Sequence, residues 1–77
     1  MTETDAQVSA ERWVVDACRD FKLPAETSED DFFSIGGTSI TLLRLIAKAE
    51  EELGVTLEPE EVLEANTLRG IAALLVR

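Results

Sequence analysis

Between Lys22 and Thr38 the chain reads "KLPAETSEDDFFSIGGT" and loses every trace of helical period. This interruption constrains the fold more than any other feature, because Pro24, Gly36 and Gly37 mark a connection rather than an element. It is long for a chain of 77 residues. Loops of this length are usually either functional or disordered. Phe32 and Phe33 argue for one pinned to a core, since each ring can bury about 150–250 Å².

The segments on either side are helical. Thr4 and Gln7 have capping-box spacing, and Val8, Val14, Val15, Cys18 and Phe21 recur at helical intervals, which predicts a helix from about Asp5 to Phe21. A second helix is predicted from Ser39 to Leu53, stopped by Gly54. Pro59 suits the first turn of a short helix through about Glu64, and Thr67 can cap a last helix through Leu75. With no alternating strand pattern, the expected fold is all-α: a small four-helix bundle of three longer helices and one short one, with a long loop between the first two. One domain spanning 1–77, with a folded core at about 5–76, accounts for the chain. No internal repeat is visible.

Composition excludes several functions. Sixteen acidic residues against seven basic ones give a net charge of −9, which disfavours nucleic acid and anionic membrane surfaces as partners and favours basic protein patches. There is no histidine, so neither a Ser-His-Asp nor a Cys-His arrangement can be assembled within the chain. Cys18 stands alone on the apolar stripe of the first helix and reads as a small core residue rather than a reactive thiol. No metal site is expected: the acidic run Glu29, Asp30, Asp31 reads as a solvated stretch, as do Glu50, Glu51 and Glu52. The polar start "MTETDAQ" does not resemble a secretory signal, and a reducing cytoplasm is the expected compartment.

The second helix departs from ordinary amphipathic patterning. At about 100° per residue, Leu42, Leu45, Ile46, Ala49 and Leu53 gather on one side, while Ile40, Leu43 and Ala47 gather nearly opposite. The first stripe is expected to face the core. The second, rimmed by Arg44, Glu50 and Glu51, is expected to be an exposed docking surface, because four short helices have little material to cover both. At the start of this helix, free N–H groups and the positive end of the helix dipole favour an anion, so a phosphate ester on Ser39 would be well accommodated. Gly36 and Gly37 are expected to keep the approach to Ser39 open. Taken alone, Ser39 or Thr38 could equally serve as a simple helix cap.

"DDFFSIGGTSI", the leucine-rich helix, "LGVTL" and "LEANTLRGIAALL" together resemble the acyl and peptidyl carrier proteins, from about Val8 to the end of the chain. In that family the serine of the "GGxSL" pattern is esterified by 4′-phosphopantetheine, and Ser39, followed here by Ile40, matches it. The double glycine after two phenylalanines is similar to the peptidyl carriers of nonribosomal peptide synthesis, whereas the acidity and length look more like discrete, free-standing acyl carriers. Thr38 stands where aspartate or histidine is frequent, and Asn66 replaces a common proline. The resemblance implies a non-catalytic, monomeric carrier that holds acyl or aminoacyl groups as thioesters on an arm at Ser39, in nonribosomal peptide or polyketide-type metabolism. Its implied partners are a phosphopantetheinyl transferase, an enzyme that loads acyl groups or amino acids, and downstream biosynthetic enzymes. Phe32, Phe33, Gly36 and Gly37 would support the loop, and Ile40, Leu43, Arg44 and Ala47 would meet partners. The alternative is a helical protein-interaction module that is never modified.

The charge alone generates a prediction. Self-repulsion should be screened over a Debye length of about 10 Å at 0.1 M salt, so the Tm should rise from very low to moderate ionic strength. A flat or falling Tm would mean that the acids are locally compensated.

Overall fold

In the computed structural model, residues 2–77 are described in backbone and residues 5–77 in side chains. Four helices follow in order: α1 (Thr2–Asp20), α2 (Ser39–Leu53), α3 (Pro59–Ala65) and α4 (Leu68–Leu75). The only strand-like feature among the described residues is an isolated antiparallel bridge between Asp31 and Thr67. α4, with 8 residues, is barely longer than α3, with 7, so the bundle has two long and two short helices.

α1 starts earlier than the periodicity predicts, which leaves Thr4 inside the helix rather than at its cap; its side chain lies outside the described residues. Gln7 donates instead to Glu11 at 2.8 Å and to the Arg69 carbonyl at 3.3 Å. The far end closes at Lys22, whose φ of 69° turns the chain into the left-handed region. α2 ends as expected at Gly54, with φ 68° and its N–H directed to the carbonyls of Ala49 and Glu50.

Ala10, Val14, Ala17 and Cys18 of α1 pack with Leu42, Leu45 and Ala49 of α2, Val62 of α3, and Leu68, Ile71 and Ala72 of α4. α1 lies chiefly against α4. Three apolar positions fall differently from the sequence pattern. Val8 is exposed because it lies on the opposite side of α1 from the buried Ala10 and Ala17. Leu53 is exposed at the last turn of α2, at the rim of an open groove, and Ile46 is half-buried at the edge of the inward stripe.

Four acidic residues expected to be solvated have structural partners. Glu52 accepts from the Trp13 indole N–H at 3.1 Å and from Lys48 at 2.8 Å, joining α1 to α2. Asp30 accepts the backbone N–H groups of Glu26 and Thr27 at 2.8 and 3.1 Å, which lowers its pKa. Asp31 accepts the Ser34 N–H at 2.9 Å, while Glu29 pairs with Arg69.

α2 carries the test of this packing. Leu45→Ala should cost about 2–5 kcal/mol through a core cavity, whereas Leu43→Ala on the opposite face should stay within about 0.5 kcal/mol. Urea denaturation of both variants measures the difference. Equal losses would mean that both faces of α2 are buried.

Candidate functional site

The loop reaches α2 by way of α4. At the start of α4 the Leu68 N–H donates to the Asp30 carbonyl at 2.9 Å, and the Arg69 N–H donates to Ser28 at 2.7 Å. The Gly70 N–H donates to the Thr67 hydroxyl at 3.1 Å. The donors that a helix start leaves without partners are therefore consumed by the loop and the cap. In return, the Phe32 N–H donates to the Asn66 carbonyl at 2.8 Å, and the Phe32 ring is fully buried.

Phe33 behaves differently from its neighbour. Its ring stands edge-on to Phe32, with centroids 5.1 Å apart, and remains 37% exposed. One aromatic ring anchors the loop; the other lies over it. Gly36 has φ 105°, a conformation that side chains rarely adopt, which accounts for a glycine there.

The start of α2 is arranged unlike that of α4. Thr38 takes the capping role in extended geometry: its hydroxyl accepts the Thr41 N–H at 3.3 Å and lies 3.1 Å from the Thr41 hydroxyl. Ser39 is thus the first helical residue and not the cap, and its side chain is exposed. The N–H groups of Ser39 and Ile40 have no backbone acceptor among the described residues. The first turn carries no acidic side chain. An accessible hydroxyl beside two open donors, at the positive end of a 15-residue helix, fits a phosphodiester.

Beyond Ser39, the outward stripe is open. Ile40 is 67% and Leu43 57% exposed, and Arg44, Ala47, Glu50 and Glu51 are exposed as well. Leu63 on α3, which the sequence pattern did not single out, is also 53% exposed. Its neighbour Val62 takes the single inward position that the short helix offers there. Among the described residues no group of three or more acidic or cysteine side chains converges to hold a metal ion, and no helix is long and apolar enough to cross a membrane.

The family described as "Phosphopantetheine attachment site" matches residues 12–75, and the chain belongs to it. It is a carrier-type domain whose cofactor is covalently attached 4′-phosphopantetheine.

The chain is 44% identical over 46 residues to N-(5-amino-5-carboxypentanoyl)-L-cysteinyl-D-valine synthase of Penicillium rubens, covering 60% of the chain and 1% of that protein. It is 38% identical over 58 residues to the nonribosomal peptide synthetase easA of Emericella nidulans, covering 73% of the chain and 1% of the synthetase. It is 39% identical over 46 residues to surfactin synthase subunit 3 of Bacillus subtilis, covering 60% of the chain and 4% of the subunit. The chain therefore spans only a few hundredths of the length of these relatives. In fold it is similar to BlmI, a type-II acyl-carrier-protein from Streptomyces verticillus involved in bleomycin biosynthesis. The TM-score is 0.81 at 22% identity, covering 94% of this chain and 88% of that one.

Cys18 takes no part in the site. It is fully buried, and desolvation raises its thiol pKa from 9.0 to about 11. A folded pKa above the unfolded one favours the neutral thiol, so this contribution to stability is complete below about pH 9 and is lost as pH rises through about 11. At pH 8 a disulfide reagent should find no reactive thiol in the native apo protein and one in denaturant. Rapid reaction of the native apo protein would overturn the burial of Cys18.

Proposed function

We propose that Ser39 is the residue to which phosphopantetheine is attached, and that the chain carries acyl or aminoacyl groups between enzymes without catalysing their reactions. The observation that carries this reading is the division of labour at the start of α2. Thr38 caps the helix, which frees the Ser39 hydroxyl to face outward. In the attachment step the Ser39 oxygen bonds to phosphorus as the pyrophosphate bond of coenzyme A breaks. Adenosine 3′,5′-bisphosphate leaves, and the hydroxyl proton passes to a base on the transferase. The chain has no histidine to act as that base, in keeping with its being the substrate.

When attached, the arm supplies a terminal thiol that holds the carried group as a thioester. The chain's own contribution is to present the oxygen, to set two backbone N–H groups beside the phosphate, and to offer Ile40, Leu43, Arg44 and Ala47 to partners. The relatives among nonribosomal peptide synthetases support an amino acid or peptide as cargo, delivered by an adenylating enzyme and passed to a condensing one. A polyketide-type acyl group is the other cargo the family supports. A reducing cytoplasm suits a carrier whose working group is a thiol.

Incubation with coenzyme A, magnesium and a broad-specificity transferase should add one phosphopantetheine to the protein by intact mass, and none to Ser39→Ala. The modified protein should then show one native reactive thiol. Modification of Ser39→Ala would transfer the assignment to Ser34 or Thr38. Absence of any modification of the parent chain would favour the unmodified interaction module.

A further inference from the structure

We infer that Phe32 is a positioning residue for the modification of Ser39, acting through a steric contact that only glycine at position 37 permits. The inference rests on Ser39 being the attachment point. Gly37 is not among the residues with positive φ, so backbone conformation alone does not demand a glycine there. The ring of Phe32 and its carbonyl do. A Cβ at position 37 would lie 2.5 Å from Phe32 Cδ2 and 2.6 Å from the Phe32 oxygen. The Gly37 N–H is also bonded to that oxygen, at 3.0 Å.

Phe32 cannot easily yield to such an intrusion. Its ring is fully enclosed by the core, and its N–H is fastened to Asn66 at 2.8 Å. Close-packed interiors transmit strain rather than absorb it. The displaced part would be the chain after residue 37, and that chain is short: Gly37, then the cap Thr38, then Ser39. The Thr38 carbonyl accepts the Leu42 N–H at 2.8 Å while its hydroxyl accepts from Thr41, so a shift at 37 enters the first turn of α2 directly. Of the docking stripe, only Ile40 shares that first turn, while Leu43, Arg44 and Ala47 lie further along α2. The ring therefore governs chiefly where the hydroxyl stands.

This separates kcat from KM. Gly37→Ala should lower the kcat of a phosphopantetheinyl transferase about tenfold and leave KM for the carrier within about threefold, because misplacement of a reacting atom acts on the chemical step. A mere loss of folded fraction would do the reverse, raising apparent KM and leaving kcat intact. Phe32→Leu/Gly37→Ala should recover part of the loss, because the smaller side chain yields space while the carbonyl remains. The two effects would then be strongly non-additive.

The assay uses the full chain with coenzyme A and magnesium, at a temperature where circular dichroism finds each variant folded. Unchanged kcat in Gly37→Ala, or single-variant effects that simply multiply in the double variant, would overturn the inference. If Gly37→Ala does not fold, the double variant decides: folding with modification upholds the contact, and failure of either overturns it. Ser39→Ala run alongside separates the two readings, since its continued modification would remove the attachment assignment whatever Gly37→Ala does.

Discussion

The loop between α1 and α2 and the start of α4 complete one another, and the remaining structure depends on that exchange. The loop gives the carbonyls of Ser28 and Asp30 to the open donors of α4, and receives the carbonyl of Asn66 for the Phe32 N–H. Full burial of the Phe32 side chain adds about 1.5–3 kcal/mol to these bonds. Without such a tie, ordering the connection would cost about 1–2 kcal/mol per residue with little in return. With it, the loop becomes a fixed strut that ends at the first residue of α2. Asn66 meets the geometry with a positive φ of 43° and ψ of −31°, outside the usual left-handed helical region.

Two helix starts in one small bundle are thus treated in opposite ways. α4 has its donors satisfied from within; α2 keeps those of Ser39 and Ile40 open. The same contrast extends along the surface. Surface ion pairs such as Arg77 with Glu61 and Lys48 with Glu52 lie where elements meet or along one helix, and solvent screens them. The outward stripe of α2 has Arg44 among its exposed residues and apolar side chains left uncovered. Stabilising contacts and uncovered apolar side chains are thus kept apart on α2.

Much of this was legible in the sequence, because the signals were local. Thr67, Gly54 and Pro59 mark helix ends by chemistry that works within a few residues, and the two-stripe pattern of α2 needs only the helical period. What escaped was decided by distant partners. Val8 and Leu53 have the right hydrophobicity for a core but remain partly exposed, Leu53 at the rim of an open groove beside Trp13, Val55 and Leu75. Leu63 points outward because Val62 fills the inward position beside it. The acids of the loop read as solvated until their acceptor oxygens are seen to hold backbone donors at Glu26, Thr27 and Ser34. Thr38 and Ser39 were indistinguishable as caps in sequence, since either hydroxyl has the chemistry; backbone geometry gives the cap to Thr38.

The same packing also sets the state of several reactive groups. A thioester carried on a flexible arm would be exposed to any nucleophile or general base within reach of it. This chain has no histidine, and its single thiol is enclosed in the core and held neutral to about pH 11. The carboxylates of Glu11, Asp30, Glu52 and Glu61 have lowered pKa values because hydrogen-bond donors hold them in the charged form, which makes them weaker bases than free carboxylates. On the proposed carrier reading, a buried thiol and carboxylates occupied by donors leave fewer groups on the chain that could attack a thioester.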